Sequence, residues 1–235
     1  MWILRLNMTD QSYQFEDVPE AYKLLGGRGL TSTIVYDQVP PTCHPLGPNN
    51  KLVFAPGIVT GTSAATSARL SVGTKSPLTG TIKEANAGSG WAPAIARMGL
   101  KAIVVEGQPK EKGRYWTVCL SWEKDKPKVE FVPTDEQYIG VDLYEVYPKL
   151  FEKYGKVNIA SIGVAGELLY GSSGICFDDL SGRPSRYAGR GGVGAVMGSK
   201  GLKFISVDSK GAPRIKIADQ ALFDQGRTKL ADALR

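Results

Sequence analysis

Two glycine-rich segments with few acids hold the residues of this sequence that are best suited to bind a ligand. Between Gln38 and Val105 there are six bases and a single acid, Glu84. Between Ser181 and Val207 there are five bases and no acid. Glycine-rich backbone exposes amide N–H groups, and arginine side chains form paired hydrogen bonds with phosphate oxygens. The two segments therefore predict a site for an anionic ligand, held by main-chain and arginine donors together.

The glycines of residues 189–194 allow an alternative interpretation. Their spacing matches the dinucleotide fingerprint, and Asp208 lies 19 residues after the first glycine. That fingerprint requires a buried strand before it and a long helix after it. Residues 178–188 are polar and include Pro184, which argues against such a strand. A nucleotide-binding module is thus the weaker of the two interpretations.

Other reactive side chains are sparse. His44 is the only histidine, and it lies in a proline-rich loop. Three cysteines, Cys43, Cys119 and Cys176, are widely spaced and form no C-x-x-C pair. This spacing argues against a disulfide framework, and against a zinc or iron–sulfur site built by this chain alone. No nucleophile and base stand in the order of a catalytic triad, so we predict no catalytic residue.

Length and composition limit the class of protein. The chain has 235 residues, 42% of them hydrophobic, and a formal charge of +6. This is enough apolar material for a sizeable core, in one large domain or two small ones. No apolar run approaches the roughly 18 residues of a membrane span, and no signal peptide is apparent. The bases are too thinly spread for a nucleic-acid surface. We expect a cytoplasmic protein that binds neither nucleic acid nor membrane.

The positioning elements are mostly strands with short helices between them, which predicts an α+β, β-rich fold. Strands are predicted in an opening hairpin over 2–15 and at 51–55, 70–74, 102–106, 115–122, 129–132, 157–162 and 202–207. Helices are predicted at 19–25, 30–36, just after Gly90, at 142–154 and from Asp219 onward. Because residues 171–201 contain nine glycines, we expect that region to be mostly loop.

An internal similarity links the two halves of the chain. Residues 98–106 and 200–208 both contain Gly-Leu-Lys immediately before a β-branched, apolar run. Each copy follows an arginine- and glycine-containing loop and a short helix of small residues. We predict two similar units, each of which contributes a loop to a shared site.

At these loops the sequence resembles the N-terminal domain of the aldehyde:ferredoxin oxidoreductase family, whose members carry tungsten or molybdenum on two pterins. The matching stretches are 26–30, 36–41, 45–46, 50–57, 60–63, 74–80, 85–90 and 188–203. The resemblance implies a two-sheet domain with short peripheral helices that forms the base for a bis-molybdopterin cofactor. It also implies that residues 1–212 form this domain and that residues 213–235 begin a further, helical domain.

The resemblance assigns cofactor contacts to seven positions in two loops. These are Arg69, Asn86 and Gly88 in the first loop, and Arg186, Tyr187, Gly189 and Arg190 in the second. By the same resemblance, main-chain oxygens of Asn86 and Tyr187 face a magnesium ion that bridges the pterin phosphates. Position 187 is typically small in the family, so Tyr187 departs from the pattern.

The reaction implied by the resemblance is the oxidation of an aldehyde to a carboxylic acid, with ferredoxin as the electron acceptor. Other domains of such enzymes bind a [4Fe–4S] cluster, and a homodimer is possible. This chain has no closely spaced cysteines, and its last predicted helix has no glycine cap before Arg235. We therefore expect the N-terminal domain of a longer enzyme, inactive alone. The alternative is a stand-alone module that binds or carries the pterin cofactor without redox turnover.

Overall fold

The structure, a computed structural model, describes residues 1–234. Twelve strands form two six-stranded sheets within these residues, and six helices accompany them. Two short 3-10 turns, Glu20–Tyr22 and Glu136–Tyr138, precede helices of the two halves. The α+β, two-sheet class predicted above is confirmed.

The first sheet is built from residues 2–106. Its strands are β1 (Trp2–Asn7), β2 (Ser12–Asp17), β3 (Leu52–Pro56), β4 (Arg69–Lys75), β5 (Ile82–Gly88) and β6 (Leu100–Glu106). They are ordered β2-β1-β6-β3-β4-β5, so β2 and β5 are the two edges. Only β1 and β6 run parallel; the other neighbours in this sheet are antiparallel.

The second sheet is built from residues 116–208. Its strands are β7 (Trp116–Glu123), β8 (Lys126–Pro133), β9 (Asn158–Ser161), β10 (Ile175–Asp178), β11 (Pro184–Ala188) and β12 (Leu202–Asp208). Their order is β8-β7-β12-β9-β10-β11, with β8 and β11 at the edges. Again one pair is parallel, β7 with β12, and the other neighbours are antiparallel.

The two sheets are copies of one topology. In each, the second, first, sixth, third, fourth and fifth strands of the half lie side by side in that order. The parallel pair has the same irregularity in both copies, where the register passes over Lys101 in β6 and over Lys203 in β12. Both lysines are buried, and each donates to a main-chain carbonyl, that of Lys23 or of Ile162. The predicted internal duplication is confirmed.

Some helices cover the outer faces of the sheets, and others connect strands along the chain. They are α1 (Gly27–Gln38), α2 (Trp91–Arg97), α3 (Leu143–Tyr154), α4 (Val164–Glu167), α5 (Val193–Ser199) and α6 (Gln220–Ala233). α1 packs its apolar residues on the outer face of the first sheet, and α3 does so on the second. The strong apolar stripe predicted at 142–154 is thus α3, with Asp142 as its N-cap.

The main core lies between the inner faces of the two sheets, and Trp91 is at its centre. The indole ring lies 5.4 Å from the ring of Phe54 in the first sheet and 5.7 Å from that of Phe177 in the second. Its Nε1 donates to the carbonyl of Ile205 at 3.2 Å. Trp91 therefore joins the two sheets through both apolar contact and a satisfied polar atom.

Four sequence-based assignments differ from the structure. Residues 19–25 contain only a 3-10 turn, and α1 begins at Gly27 rather than Leu30. β5 was not predicted, because its Gly- and Ala-rich sequence is untypical of a strand. The expectation that 171–201 is mostly loop is wrong, since β10, β11 and α5 lie there.

The glycines of α5 explain that last error. A Cβ on Gly194 would collide with the carbonyl of Gly174, and one on Gly198 would collide with the carbonyl of Gly166. These glycines permit close packing of backbone against backbone rather than chain reversal. Within residues 1–234, no helix has the length and apolar character required to cross a bilayer.

Candidate functional site

The edge strands β5 and β11 contact each other, and two clefts flank their junction. The first cleft has a volume of about 430 Å³ and the second about 370 Å³. The first is lined by Arg28, Lys83, Glu84, Ala85, Asn86, Tyr187, Gly189 and Arg190. The second is lined by Thr66, Ala68, Arg69, Asn86, Ala87, Gly88, Ser185, Arg186 and Tyr187. All seven predicted site residues therefore come together at one place.

Asn86 and Tyr187 line both clefts and form the ridge between them. Asn86 pairs with Ser71 of the neighbouring strand, and Tyr187 pairs with Cys176. Because β4 and β10 are corresponding strands of the duplicated sheets, these two pairs occupy corresponding places. Edge strands present main-chain groups that no neighbouring strand satisfies. The ridge is thus a place where main-chain oxygens from both halves can meet one ligand.

The second cleft is purely cationic in its charged lining. Arg69 begins β4, Arg186 lies on β11, and both side chains are exposed. No acid lines this cleft among residues 1–234, and within that range neither arginine forms an ion pair. Two guanidinium groups that line one groove and form no ion pair within the described residues are suited to bind phosphate oxygens.

The first cleft contains three bases and one acid. Arg28 comes from the first turn of α1, Lys83 from β5, and Arg190 from the turn after β11. The acid is Glu84, whose Oε1 lies 2.7 Å from Nε of Arg28. Sequence reasoning assigned neither Arg28 nor Lys83 to the site. A signal was present for Arg28, which stands in the glycine motif 26–29.

The site residues lie on strands more often than in loops. Asn86 and Gly88 were expected in a glycine loop, but both belong to β5, which pairs with β4 along its whole length. Arg186 and Tyr187 belong to β11, so only Gly189 and Arg190 remain in a turn. A paired strand holds its main-chain groups more rigidly than a loop does, which favours a preformed site.

Tyr187 is partly buried against the second sheet. Its hydroxyl donates to the carbonyl of Pro184 at 3.3 Å, and half of the residue, 51%, stays exposed. Burial and the neighbouring Cys176 raise the pKa of Tyr187. Burial likewise raises the pKa of the Cys176 thiol, to about 11. Both groups are therefore neutral at pH 7 and add no charge to the clefts.

The nucleotide-binding interpretation does not fit the structure around residues 189–194. The preceding strand, β11, is an exposed antiparallel edge strand, with Pro184 as its first residue. The following helix, α5, has only seven residues. A dinucleotide fingerprint requires a buried parallel strand and a long helix. Residues 184–188 do form a strand, but it is not the buried strand that the fingerprint requires, as the polar sequence predicted.

The remaining candidate side chains lie apart from the clefts. His44 is exposed, and its Nδ1 accepts a hydrogen bond from the amide of Leu46 at 3.1 Å. Cys43 and Cys119 are half-buried, and all three cysteines are free. Within residues 1–234 no three His, Cys, Asp or Glu side chains are grouped so as to hold a metal ion.

Two duplicated sheets meet at a pair of cationic clefts, and this arrangement is suited to an anionic ligand held between two similar halves. The family model described as aldehyde ferredoxin oxidoreductase, N-terminal domain, matches residues 3–209. The chain belongs to this family, as the resemblance of its motifs implied.

Individual relatives agree with this assignment. The chain is 42% identical to the tungsten-containing aldehyde ferredoxin oxidoreductase of Pyrococcus furiosus and 40% identical to that of Thermococcus kodakarensis. Each comparison covers 94% of this chain but 34% of the relative. The chain therefore spans about a third of the length of these relatives.

A solved structure has the same fold. The active site complex BamBC of benzoyl coenzyme A reductase, in complex with 1,5-dienoyl-CoA, matches with a TM-score of 0.84 at 28% identity. The match covers 98% of this chain and 34% of that one. The two-sheet domain is thus shared between a benzoyl coenzyme A reductase complex and the aldehyde ferredoxin oxidoreductases.

Proposed function

We propose that this chain is the cofactor-binding base of a tungsten bis-molybdopterin enzyme that oxidises aldehydes to carboxylic acids with ferredoxin as electron acceptor. The observation that carries the proposal is the pair of cationic clefts meeting at Asn86 and Tyr187. Two similar clefts related by an internal duplication suit a cofactor made of two similar halves. The names of the tungsten-containing relatives indicate tungsten as the metal, and molybdenum is the alternative.

The cleft residues fit the phosphate ends of two pterins. Arg69 and Arg186 would hold one phosphate in the second cleft, and Arg190 with its neighbours would hold the other in the first cleft. The flanking glycines, Gly88 and Gly189, leave room for a ligand against the main chain, since a Cβ on either would meet only one atom within 4 Å, at 3.8–3.9 Å. When bound, the cofactor supplies the redox chemistry, and this chain holds and orients it.

A magnesium ion between the phosphates is the second part of the proposal. Magnesium prefers oxygen ligands and commonly combines phosphate oxygens with few protein ligands. Main-chain oxygens of Asn86 and Tyr187 are suited to this role, because both residues lie on edge strands at the ridge shared by the clefts. Such a contact tolerates the tyrosine side chain, because it uses the backbone alone.

The remaining components would come from the rest of the protein. These are the [4Fe–4S] cluster, the substrate channel and the ferredoxin contact, together with a possible homodimer interface and a cytoplasmic location. We place the boundary of the base domain at residue 212, with residues 213–235 opening the next, helical domain. No residue of α6 is buried, which suits a helix that packs on a further domain. Arg235 lies outside the described residues.

The test uses the full-length protein purified without oxygen. Metal analysis and the fluorescence of oxidised pterin give the tungsten and pterin content per polypeptide, and aldehyde-dependent reduction of ferredoxin gives the activity. We expect one tungsten and two pterins per polypeptide, together with turnover. Cofactor without turnover would support the carrier module instead, and absence of both pterin and metal would refute the proposal.

A further inference from the structure

Glu84 is an unusual residue for its position. It is the only acid that lines either cleft among residues 1–234, and its side chain is 10% exposed. A carboxylate beside a bound phosphate repels it, so an acid on the wall of an anion cleft requires a compensating role. The contacts of Glu84 show what that role can be.

The carboxylate of Glu84 joins three side chains. Oε1 lies 2.7 Å from Nε of Arg28, and Oε2 accepts from the Oγ of Ser71 at 3.3 Å. Oε2 also accepts from Nδ2 of Asn86. The Ser71 hydroxyl lies 3.0 Å from Oδ1 of Asn86, which closes the network on the face of the sheet. Glu84 thus fixes both a cationic residue and a ridge residue of the first cleft.

The Arg28 guanidinium is held by this contact alone. Its side chain is 73% exposed, and within the described part of the chain only Nε forms an ion pair. Because Glu84 engages the Nε edge, the two terminal nitrogens stay available to a ligand. An exposed arginine otherwise samples many rotamers, which lowers its affinity for a ligand.

The approach of α1 to the sheet places Arg28 within reach of Glu84. Gly73, the strand partner of Glu84, lies directly under α1. A Cβ at this glycine would lie 2.6 Å from Cβ of Thr31, so only glycine allows the helix to pack this closely. The Arg28–Glu84 pair is therefore built into the packing of α1 on the first sheet.

We infer that Arg28 is an anion-binding residue of the first cleft and that Glu84 is its positioning residue, holding the Arg28 guanidinium and the Asn86 amide in the orientation that receives a phosphate group. This inference rests on the proposed function, because it assigns the ligand of the first cleft. The inference predicts a change in phosphate affinity opposite to the one expected from net charge alone. Removal of the Glu84 charge should weaken phosphate binding, although it leaves the cleft more positive.

The test is a calorimetric titration of inorganic pyrophosphate into cofactor-free full-length protein. Arg186→Ala serves as the parent, so that the second cleft contributes little. We expect Glu84→Gln to weaken pyrophosphate binding by about tenfold, the size of one charge-assisted hydrogen bond. Arg28→Ala should weaken it similarly, and the double variant should be no weaker than Arg28→Ala, because the two residues act together.

Two further variants separate positioning from folding. Arg28→Lys keeps the charge at an exposed position but loses the Nε contact, and we expect most of the tenfold loss to remain. Glu111→Gln removes a comparable ion pair with Arg114, at 2.9 Å and outside both clefts, and should leave pyrophosphate binding unchanged. Thermal unfolding of each variant shows whether it is folded.

Unchanged or tighter binding in Glu84→Gln, or full binding in Arg28→Lys, would overturn the inference while leaving the proposed function intact. Two results together would overturn both the inference and the proposed function. These are no pyrophosphate binding by the Arg186→Ala parent and no pterin in the full-length protein.

Discussion

Asn86 and Tyr187 occupy corresponding positions on the edge strands of the two duplicated sheets, and each lines both clefts. Each pairs with a residue of the strand next to the edge in its own sheet. Asn86 pairs with Ser71 of β4, and Tyr187 pairs with Cys176 of β10. The duplication therefore places the same main-chain surface on each side of one ridge. A ligand with two similar halves can contact both copies at once.

Loss of a guanidinium from the second cleft is expected to reduce cofactor content. Arg69→Ala and Arg186→Ala each remove one cation from a cleft that no acid of residues 1–234 lines. We expect cofactor affinity to fall about tenfold in each, as a lost charge-assisted contact implies, and tungsten and pterin per full-length polypeptide to fall with it. Metal analysis and pterin fluorescence measure this. Arg183→Ala is the matched control, since Arg183 is exposed, is not among the cleft-lining residues and pairs with Asp179. Full occupancy in both cleft variants would refute the assignment.

Gly73→Ala is expected to destabilise the first sheet. The new methyl group would lie 2.6 Å from Cβ of Thr31, so α1 must shift outward. Overpacking of this kind costs about 1–3 kcal/mol of unfolding free energy. Urea unfolding of this chain gives the value. Gly171→Ala serves as the control, because no atom of residues 1–234 lies within 4 Å of its added Cβ. Equal stability of the two variants would show that α1 adapts without cost.

Trp91→Ala is expected to lower the free energy of unfolding by weakening the contact between the two sheets. The substitution removes the ring that contacts both Phe54 and Phe177, and it leaves the carbonyl of Ile205 without its donor. Large-to-small changes of this type cost about 3–5 kcal/mol. Trp91→Phe keeps most of the volume and should cost less than half as much. A loss below about 1 kcal/mol in Trp91→Ala, the size expected of a surface substitution, would contradict the central role of this residue.

Lys200 is expected to make stability rise with pH. The residue is fully buried, and Nζ donates to the carbonyls of Asn50 at 2.6 Å and Gly107 at 3.2 Å. Burial, with a smaller effect of the Lys51 charge, lowers its pKa to about 7. Because this pKa lies below the unfolded value of 10.5, the unfolded chain binds more protons between these two pH values. The folded state therefore gains stability as pH increases from 7 toward 10.

The contribution of Lys200 is isolated by comparison with Lys200→Met. The stability of the native chain relative to this variant should increase between pH 7 and pH 10, by at most about 1.4 kcal/mol per pH unit. Urea unfolding at several pH values measures the difference, in which the titration of other groups cancels. Parallel pH profiles for the two proteins would mean that Lys200 keeps its ordinary pKa.

The sequence by itself determined the β-rich class, most strands of the first sheet and the duplication. Runs rich in Val, Ile and Phe are typical of strands, and the Gly-Leu-Lys similarity indicates that β6 and β12 are corresponding strands. Charge segregation and the family resemblance together also identified the seven cleft residues. These are properties of local composition and motif, which a chain carries before it folds.

Only the tertiary structure decided the form of the site. It converted 171–201 from expected loop into β10, β11 and α5, because Gly194 and Gly198 allow backbone segments to pack in contact. It also placed Arg28 beside Glu84, although β3 and β4 lie between these two residues along the chain. Neither relationship has a local signal, since each depends on groups that are distant along the chain and become neighbours only when α1, β5 and β11 are packed in place.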